Sequence, residues 1–209
     1  MSDSAQEQAI RFGDRGLVPC VVQDWRTGEV LTLAYMNAKA LRLTIETREV
    51  HFWSRSREQI WRKGETSGNT LALQGLRLDC DEDALVALVI PAGPACHTGE
   101  RSCFYRDAET GEAPEPGLHE TLGVLERTLA QRQEERPEGS YTVELLDDPA
   151  LVGEKVREEA EEVTRAAREE SDERVASEAA DVLYHLSVLV RSRDVPLSRV
   201  FEVLRARAR

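Results

Sequence analysis

The stretch Asp107-Ala-Glu-Thr-Gly-Glu-Ala-Pro-Glu-Pro-Gly117 divides the chain. Its two prolines, two glycines and lack of apolar periodicity leave no helix or strand able to run through it, so each side must bury its own core. This predicts one domain over residues 1–107, a linker over 108–117 and a second domain over 118–209. A length of 209 residues suffices for two small domains. Charge follows the same division. Residues up to Asp107 carry 13 basic and 15 acidic side chains and those after it 14 and 24, so −10 of the formal −12 belongs to the second part. All four cysteines and eight of the eleven aromatics belong to the first, which points to different chemistry in the two parts.

A charge of −12 repels a phosphate backbone and argues against a general nucleic-acid coat. A hydrophobic content of 41% is enough to build cores, which excludes a chain disordered throughout. The longest apolar run, Ala84–Pro91, falls far short of the roughly 20 residues that span a bilayer. The polar start Met1–Gln8 lacks a signal-peptide pattern, so a cytoplasmic protein with no membrane partner is expected. Cysteines in that compartment stay reduced and are read as metal ligands, nucleophiles or buried small hydrophobes.

In the first part, Val18–Asp24 and Val30–Tyr35 flank a Thr27-Gly28 turn and predict a hairpin. A short helix over Ala38–Thr47 and strands over His51–Ser54, Leu71–Leu78 and Leu85–Ile90 complete an α+β domain with a mainly antiparallel sheet. The second part reads as an all-α bundle of three or four helices. Leu118, Leu122, Leu125 and Leu129 recur at helical spacing, as do Val152, Val156, Ala160, Val163 and Ala167, then Val175, Ala179, Val182, Leu186 and Leu189.

Asp79, Asp81 and Asp83 follow a strand; extended backbone would send them to one side and Cys80 to the other. Three carboxylates suit a hard cation such as Mg²⁺, although an acidic turn explains an isolated D-x-D-x-D equally simply. Cys96 and Cys103 lie in Gly/Pro-rich loops with little core to fill. With Cys80 they offer three thiolates to Zn²⁺ and leave a fourth position for water, with His97 as a potential general base; the alternative is three buried packing groups. Cys20, in an apolar strand, is assigned to the core. Arg55, Arg57, Lys63 and Ser67 lie in a run of alternating hydroxyl and basic groups with glycines, which suits a phosphate as well as an ordinary basic hairpin.

Together, the segments Val21–Asn37, His51–Asn69, Asp79–Leu85 and Gly93–Phe104 strongly resemble phosphoribosyl-AMP cyclohydrolase of histidine biosynthesis, over nearly all of Leu17–Tyr105. The resemblance implies Mg²⁺ on Asp79, Asp81 and Asp83 and Zn²⁺ on Cys80, Cys96 and Cys103. It also implies a homodimer with zinc ligands drawn from both subunits. The implied reaction adds water at C6 of an N1-phosphoribosylated adenine and breaks the N1–C6 bond. His97 would move the proton.

On the helix through Val152, the apolar stripe centres about 40° from Val152, with Glu159, Glu162, Glu158 and Lys155 along its border. On the next helix Glu178, Asp181 and His185 border another stripe. Antiparallel packing would let these edges meet as a carboxylate cluster that repels itself unless it binds Mg²⁺; the alternative is a solvated acidic face. This EE-x-x-E then E-x-x-D pattern resembles the MazG-like all-α nucleotide pyrophosphohydrolases. Gly139–Thr142, Gly153–Val163 and Glu178–Leu186 resemble phosphoribosyl-ATP pyrophosphohydrolase in particular, over about Leu118–Arg205. Carried over, Glu158, Glu159, Glu162, Glu178 and Asp181 hold Mg²⁺, with Glu158 or Glu162 placed as base and Lys155 on phosphate. Val143-Glu144-Leu145-Leu146 departs from that family's usual Lys and aromatic, which leaves substrate contact from this loop open.

The combined expectation is a bifunctional hydrolase that removes pyrophosphate from phosphoribosyl-ATP and opens the ring of the phosphoribosyl-AMP it makes. A zinc-stabilised binding module with an acidic dimerisation bundle is the competing class.

Overall fold

The computed structural model describes residues 10–208; the polar start Met1–Gln8 lies outside them. The chain divides into two compact units, Met1–His119 and Glu120–Arg209.

In the first unit, β1 (Val18–Asp24) alternates fully buried with half-buried residues, so Val18, Cys20 and Val22 face one core. β1 pairs antiparallel with β2 (Val30–Met36) and parallel with β6 (Leu85–Pro91), which pairs antiparallel with β5 (Leu71–Leu78). The sheet order is β2-β1-β6-β5, mainly antiparallel with one parallel pair. The helix α1 (Ala38–Thr47) starts where Asn37 Oδ1 accepts the Ala40 N–H at 2.8 Å, and it buries Ala40, Leu41 and Thr44. A second hairpin joins β3 (His51–Ser54) to β4 (Gln59–Arg62), with Phe52 opposite Trp61. Sequence periodicity missed β4, because four residues between a polar turn and a Lys/Gly loop are too few to show alternation; the pairing with β3 makes them a strand.

The extended conformation expected for residues 79–83 is corrected to a turn. Asp79 Oδ1 accepts the N–H groups of Asp83 at 2.9 Å and Ala84 at 3.1 Å, and Glu82 adopts φ 69°. A short polar side chain bonding to the backbone a few residues on competes with strand continuation and wins here.

Among the described residues the second unit holds five α-helices, more than the three or four expected: α2 (Thr121–Glu135), α3 (Tyr141–Asp147), α4 (Pro149–Glu169), α5 (Asp172–Arg191) and α6 (Leu197–Arg207). Asp148 separates α3 from α4. Its carboxylate accepts the N–H groups of Ala150 and Leu151, and Pro149 occupies the first turn, where no N–H partner is required. Leu129, Leu145, Leu146, Val152 and Val188 form the core. The expected stripes are rotated. Ala160, Ala167 and Leu186 are exposed, whereas Ala166, Glu178, His185 and Ser187 are buried, which turns Glu159 and Glu162 from the border of α4 toward its packed face. The two-residue link Glu170-Ser171 folds α5 back along α4. Among the described residues, no helix is long and apolar enough to cross a membrane.

Burial pushes the Cys20 thiol from 9.0 up to about 12. Above pH 9.0 the unfolded chain gives up this proton before the folded one, so the stability from the neutral buried thiol is lost as pH rises toward 12. Urea titrations across this alkaline range should therefore show Cys20→Val losing less stability than the parent; parallel losses would contradict the shift.

Candidate active sites

In the first unit a cavity of about 550 Å³ opens between the 62–69 loop and the 95–103 loop. Arg57, Lys63 and Ser67 line it from one side and Cys96, His97 and Cys103 from the other. The loops meet closely at Gly93, where a Cβ would lie 2.4 Å from Asn69 Oδ1, so a side chain there would have to displace that of Asn69. Arg55, expected with the phosphate-binding groups, is not among the lining residues. Its guanidinium lies 4.1 Å from the Tyr35 ring centroid, a cation–π contact that satisfies it elsewhere.

Thr98 Oγ1 donates to Cys96 Sγ at 3.1 Å, and this hydroxyl is the largest influence drawing the Cys96 thiol below its usual range. Cys103 lines the same cavity though partly open to solvent, and desolvation, with the neighbouring Cys96 adding to it, raises its thiol pKa. His97 Nδ1 lies 3.9 Å from Cys96 Sγ. Cys80 is not part of this constellation. It is exposed, and its Sγ lies 4.0 Å from Asp81 Oδ1. Cys20 is fully buried in the core, with no share in the site.

The acidic turn brings Asp79, Asp81 and Asp83 together with one carboxylate oxygen of each within 4.8 Å of the others. Backbone N–H donation, from Ala84 above all, holds Asp79 below the ordinary carboxylate range, whereas the Asp81 charge raises Asp83. Oxygen donors at this separation can hold a hard divalent cation.

In the helical unit, Glu159 of α4 and Glu178 and Asp181 of α5 form the second such group, again within 4.8 Å. Glu178 is only 3% exposed. Burial chiefly raises its pKa, Glu162 and Asp181 add to the rise, and an ion pair with Arg174 opposes it. Glu162 is close enough to raise the Glu178 pKa and so adjoins the cluster. Glu158 does not join it; its carboxylate accepts from Lys155 Nζ at 2.7 Å, which holds it below its usual range. His185 backs the cluster. Its Nδ1 faces the Asp181 carbonyl oxygen at 2.9 Å, which assigns the proton there and leaves Nε2 to accept from the Tyr141 hydroxyl at 3.3 Å. Glu159 Oε1 lies 3.7 Å from the same Nδ1. Helical periodicity marked His185 but gave no sign of Tyr141, which reaches it from a separate seven-residue helix.

Residues 32–105 match the family described as phosphoribosyl-AMP cyclohydrolase, and residues 122–208 match phosphoribosyl-ATP pyrophosphohydrolase. The histidine biosynthesis bifunctional protein HisIE of Bacillus subtilis is 50% identical over 204 residues, covering 97% of this chain and 96% of its own length. The chain belongs to the HisIE family. The HisIE protein of Thermus thermophilus is 50% identical over 182 residues, 85% of this chain and 82% of its own, and that of Photobacterium profundum 47% over 193, 92% of each. A cyclohydrolase domain precedes a pyrophosphohydrolase domain, and the chain is a bifunctional hydrolase of histidine biosynthesis.

Burial and the neighbouring carboxylates disfavour the charged form of Glu178 in the folded chain, and a cation bound at the cluster would favour it. Glu178→Gln should raise the melting temperature of metal-free protein and lose much of the further rise that Mg²⁺ gives the parent. Calorimetric scans with and without Mg²⁺ check this; an undiminished Mg²⁺ increment would remove Glu178 from the metal site.

Proposed function

We propose that the cavity of the first unit is the phosphoribosyl-AMP site, with Zn²⁺ held by Cys96 and Cys103 of one chain and by Cys80 of a second copy. Asp79, Asp81 and Asp83 hold Mg²⁺ beside it. The observation that carries this reading is the division of the thiols: two share the cavity with the basic loop, and the third is exposed in the acidic turn. Two thiolates from one chain leave zinc under-coordinated, and an exposed third on the surface of an identical copy completes the set by symmetry. The donor chemistry fits, with soft thiolates for zinc and hard carboxylates for magnesium.

When bound, zinc supplies a nucleophilic water near neutral pH and magnesium offsets substrate charge. The chain's own groups do the rest. Arg57, Lys63 and Ser67 bind and orient the phosphates. Nδ1 of His97 faces Cys96, which leaves Nε2 to take the proton from the water that attacks C6. N1 substitution makes the adenine ring cationic, and the N1–C6 bond breaks as the proton is passed on.

In the helical unit, Glu159, Glu178 and Asp181 hold Mg²⁺ against the triphosphate of phosphoribosyl-ATP, with Glu162 behind them. The Lys155 hydrogen bond that keeps Glu158 ionised also makes it a weak base, which supports Glu162 as the group that orients the attacking water. Lys155, at the edge of the cluster, is placed to contact phosphate. The substrates are anionic metabolites that do not cross membranes unaided, which supports action in the cytoplasm.

Co-expression of Cys80→Ser and Cys96→Ser chains tests the cyclohydrolase site. Each alone should fail to open phosphoribosyl-AMP. Together, random pairing should restore about a quarter of the parent activity, because half the dimers are mixed and each mixed dimer keeps one intact site. No restoration would place all three thiols in one chain or remove one of them from the site.

A further inference from the structure

The loop that carries Cys96 and Cys103 closes on itself and is then attached to the sheet. Ala95 N–H donates to the Arg101 carbonyl oxygen at 3.0 Å and Cys96 N–H to that of Glu100 at 2.9 Å. Cys103 N–H donates to the Leu31 carbonyl oxygen at 2.7 Å, and Ser102 Oγ to that of Val30 at 2.8 Å. These bonds tie the loop to β2. The Arg101 side chain adds an attachment of a different kind, to the turn of the β1–β2 hairpin next to Val30 and Leu31. Its Nε donates to Glu29 Oε2 at 2.5 Å and its Nη2 to Asp24 Oδ2 at 2.6 Å.

The hairpin turn that receives this fork is held in every direction. Asp24 Oδ1 accepts the N–H groups of Arg26 at 2.7 Å and Thr27 at 3.3 Å, its backbone pairs with Gly28 and Glu29, and its side chain is 3% exposed. Two carboxylates, buried Asp24 and partly exposed Glu29, face one guanidinium that is itself a third exposed, and its removal would leave both negative charges without this partner. The planar fork reaches both carboxylates at once; a lysine ammonium is a point charge and cannot reproduce that geometry.

We propose that Arg101 is a positioning residue of the cyclohydrolase site: by gripping Asp24 and Glu29 together it sets the separation and direction of Cys96 and Cys103 for their metal. It touches neither substrate nor metal. The proposal rests on the reading of Cys96 and Cys103 as zinc ligands. None of the Arg101 hydrogen bonds described above involves Arg57 or Lys63, so substrate affinity and metal affinity separate. The second active site of the same chain, in the other unit, serves as an internal measure of enzyme concentration, and an unchanged KM for phosphoribosyl-AMP reports that the first unit is folded.

The test measures zinc affinity of the full-length protein by competition with a chromogenic chelator. Alongside it run kcat and KM for phosphoribosyl-AMP and release of pyrophosphate from phosphoribosyl-ATP. Arg101→Lys should weaken zinc binding about tenfold or more, the usual consequence of disturbing groups that orient metal ligands. It should lower kcat at limiting zinc and leave KM and pyrophosphate release unchanged. Glu29→Gln, which removes one arm of the grip, should move the same quantities less. If Arg101→Lys does not fold, Glu29→Gln decides by the same criteria. Parent-like zinc affinity and kcat in the folded variant would overturn the proposal, as would a change confined to KM. Loss of Cys96 with no effect on zinc affinity would overturn the zinc reading itself, and the proposal with it.

Discussion

Mutual repulsion among clustered carboxylates is the constraint on which both halves of this protein depend. Three acidic groups whose oxygens lie within 4.8 Å of one another occur twice, once in each unit, in a chain that already carries −12. The fold does little to neutralise either group. The acidic turn relies on backbone N–H donors at Asp79, and the helical cluster on the single ion pair of Glu178 with Arg174. In the proposed reading each group holds a divalent cation, which reverses the local sign that a phosphorylated substrate meets. An acidic protein thereby acts on anionic substrates without an overall basic surface.

The units reach this end by different physics. In the first, a turn bends three alternate residues of one short segment together, and a cross-sheet loop supplies thiols held by hydrogen bonds and by the Asp24–Arg101–Glu29 network. In the second, two antiparallel helices present acidic residues one turn apart, and burial of Glu178 and His185 replaces part of the apolar core. The helical unit's core is small, so much of what packs α4 against α5 is the site itself.

Much of this was legible from residue order. Strand alternation located β1, β2, β3, β5 and β6 and the helix α1 nearly to the residue, because each has a buried face with a regular period and a turn signal at its end. The acidic and cysteine motifs pointed to both candidate sites through the family resemblance, because an isolated D-x-D-x-D, three spaced cysteines and a Glu-rich helix each have an ordinary structural use as well. What escaped was set by tertiary contact. β4 exists through its pairing with β3, Tyr141 reaches His185 from another helix, and Arg101 finds Asp24 and Glu29 more than 70 residues away. Two readings were right in outcome and wrong in route. Asp79, Asp81 and Asp83 converge through a turn, where alternation along a strand was expected, and Glu159 and Glu162 of α4 lie toward the packed face, where a border was expected.

The central claim is that two separate metal-demanding sites act in succession on one substrate. A time course of phosphoribosyl-ATP consumption by metal-loaded Cys96→Ser protein, with pyrophosphate, phosphoribosyl-AMP and the ring-opened product followed together, tests it most directly. The account predicts pyrophosphate release at the parent rate with stoichiometric accumulation of phosphoribosyl-AMP and no ring opening. Loss of pyrophosphate release together with ring opening, or ring opening at the parent rate, would contradict it.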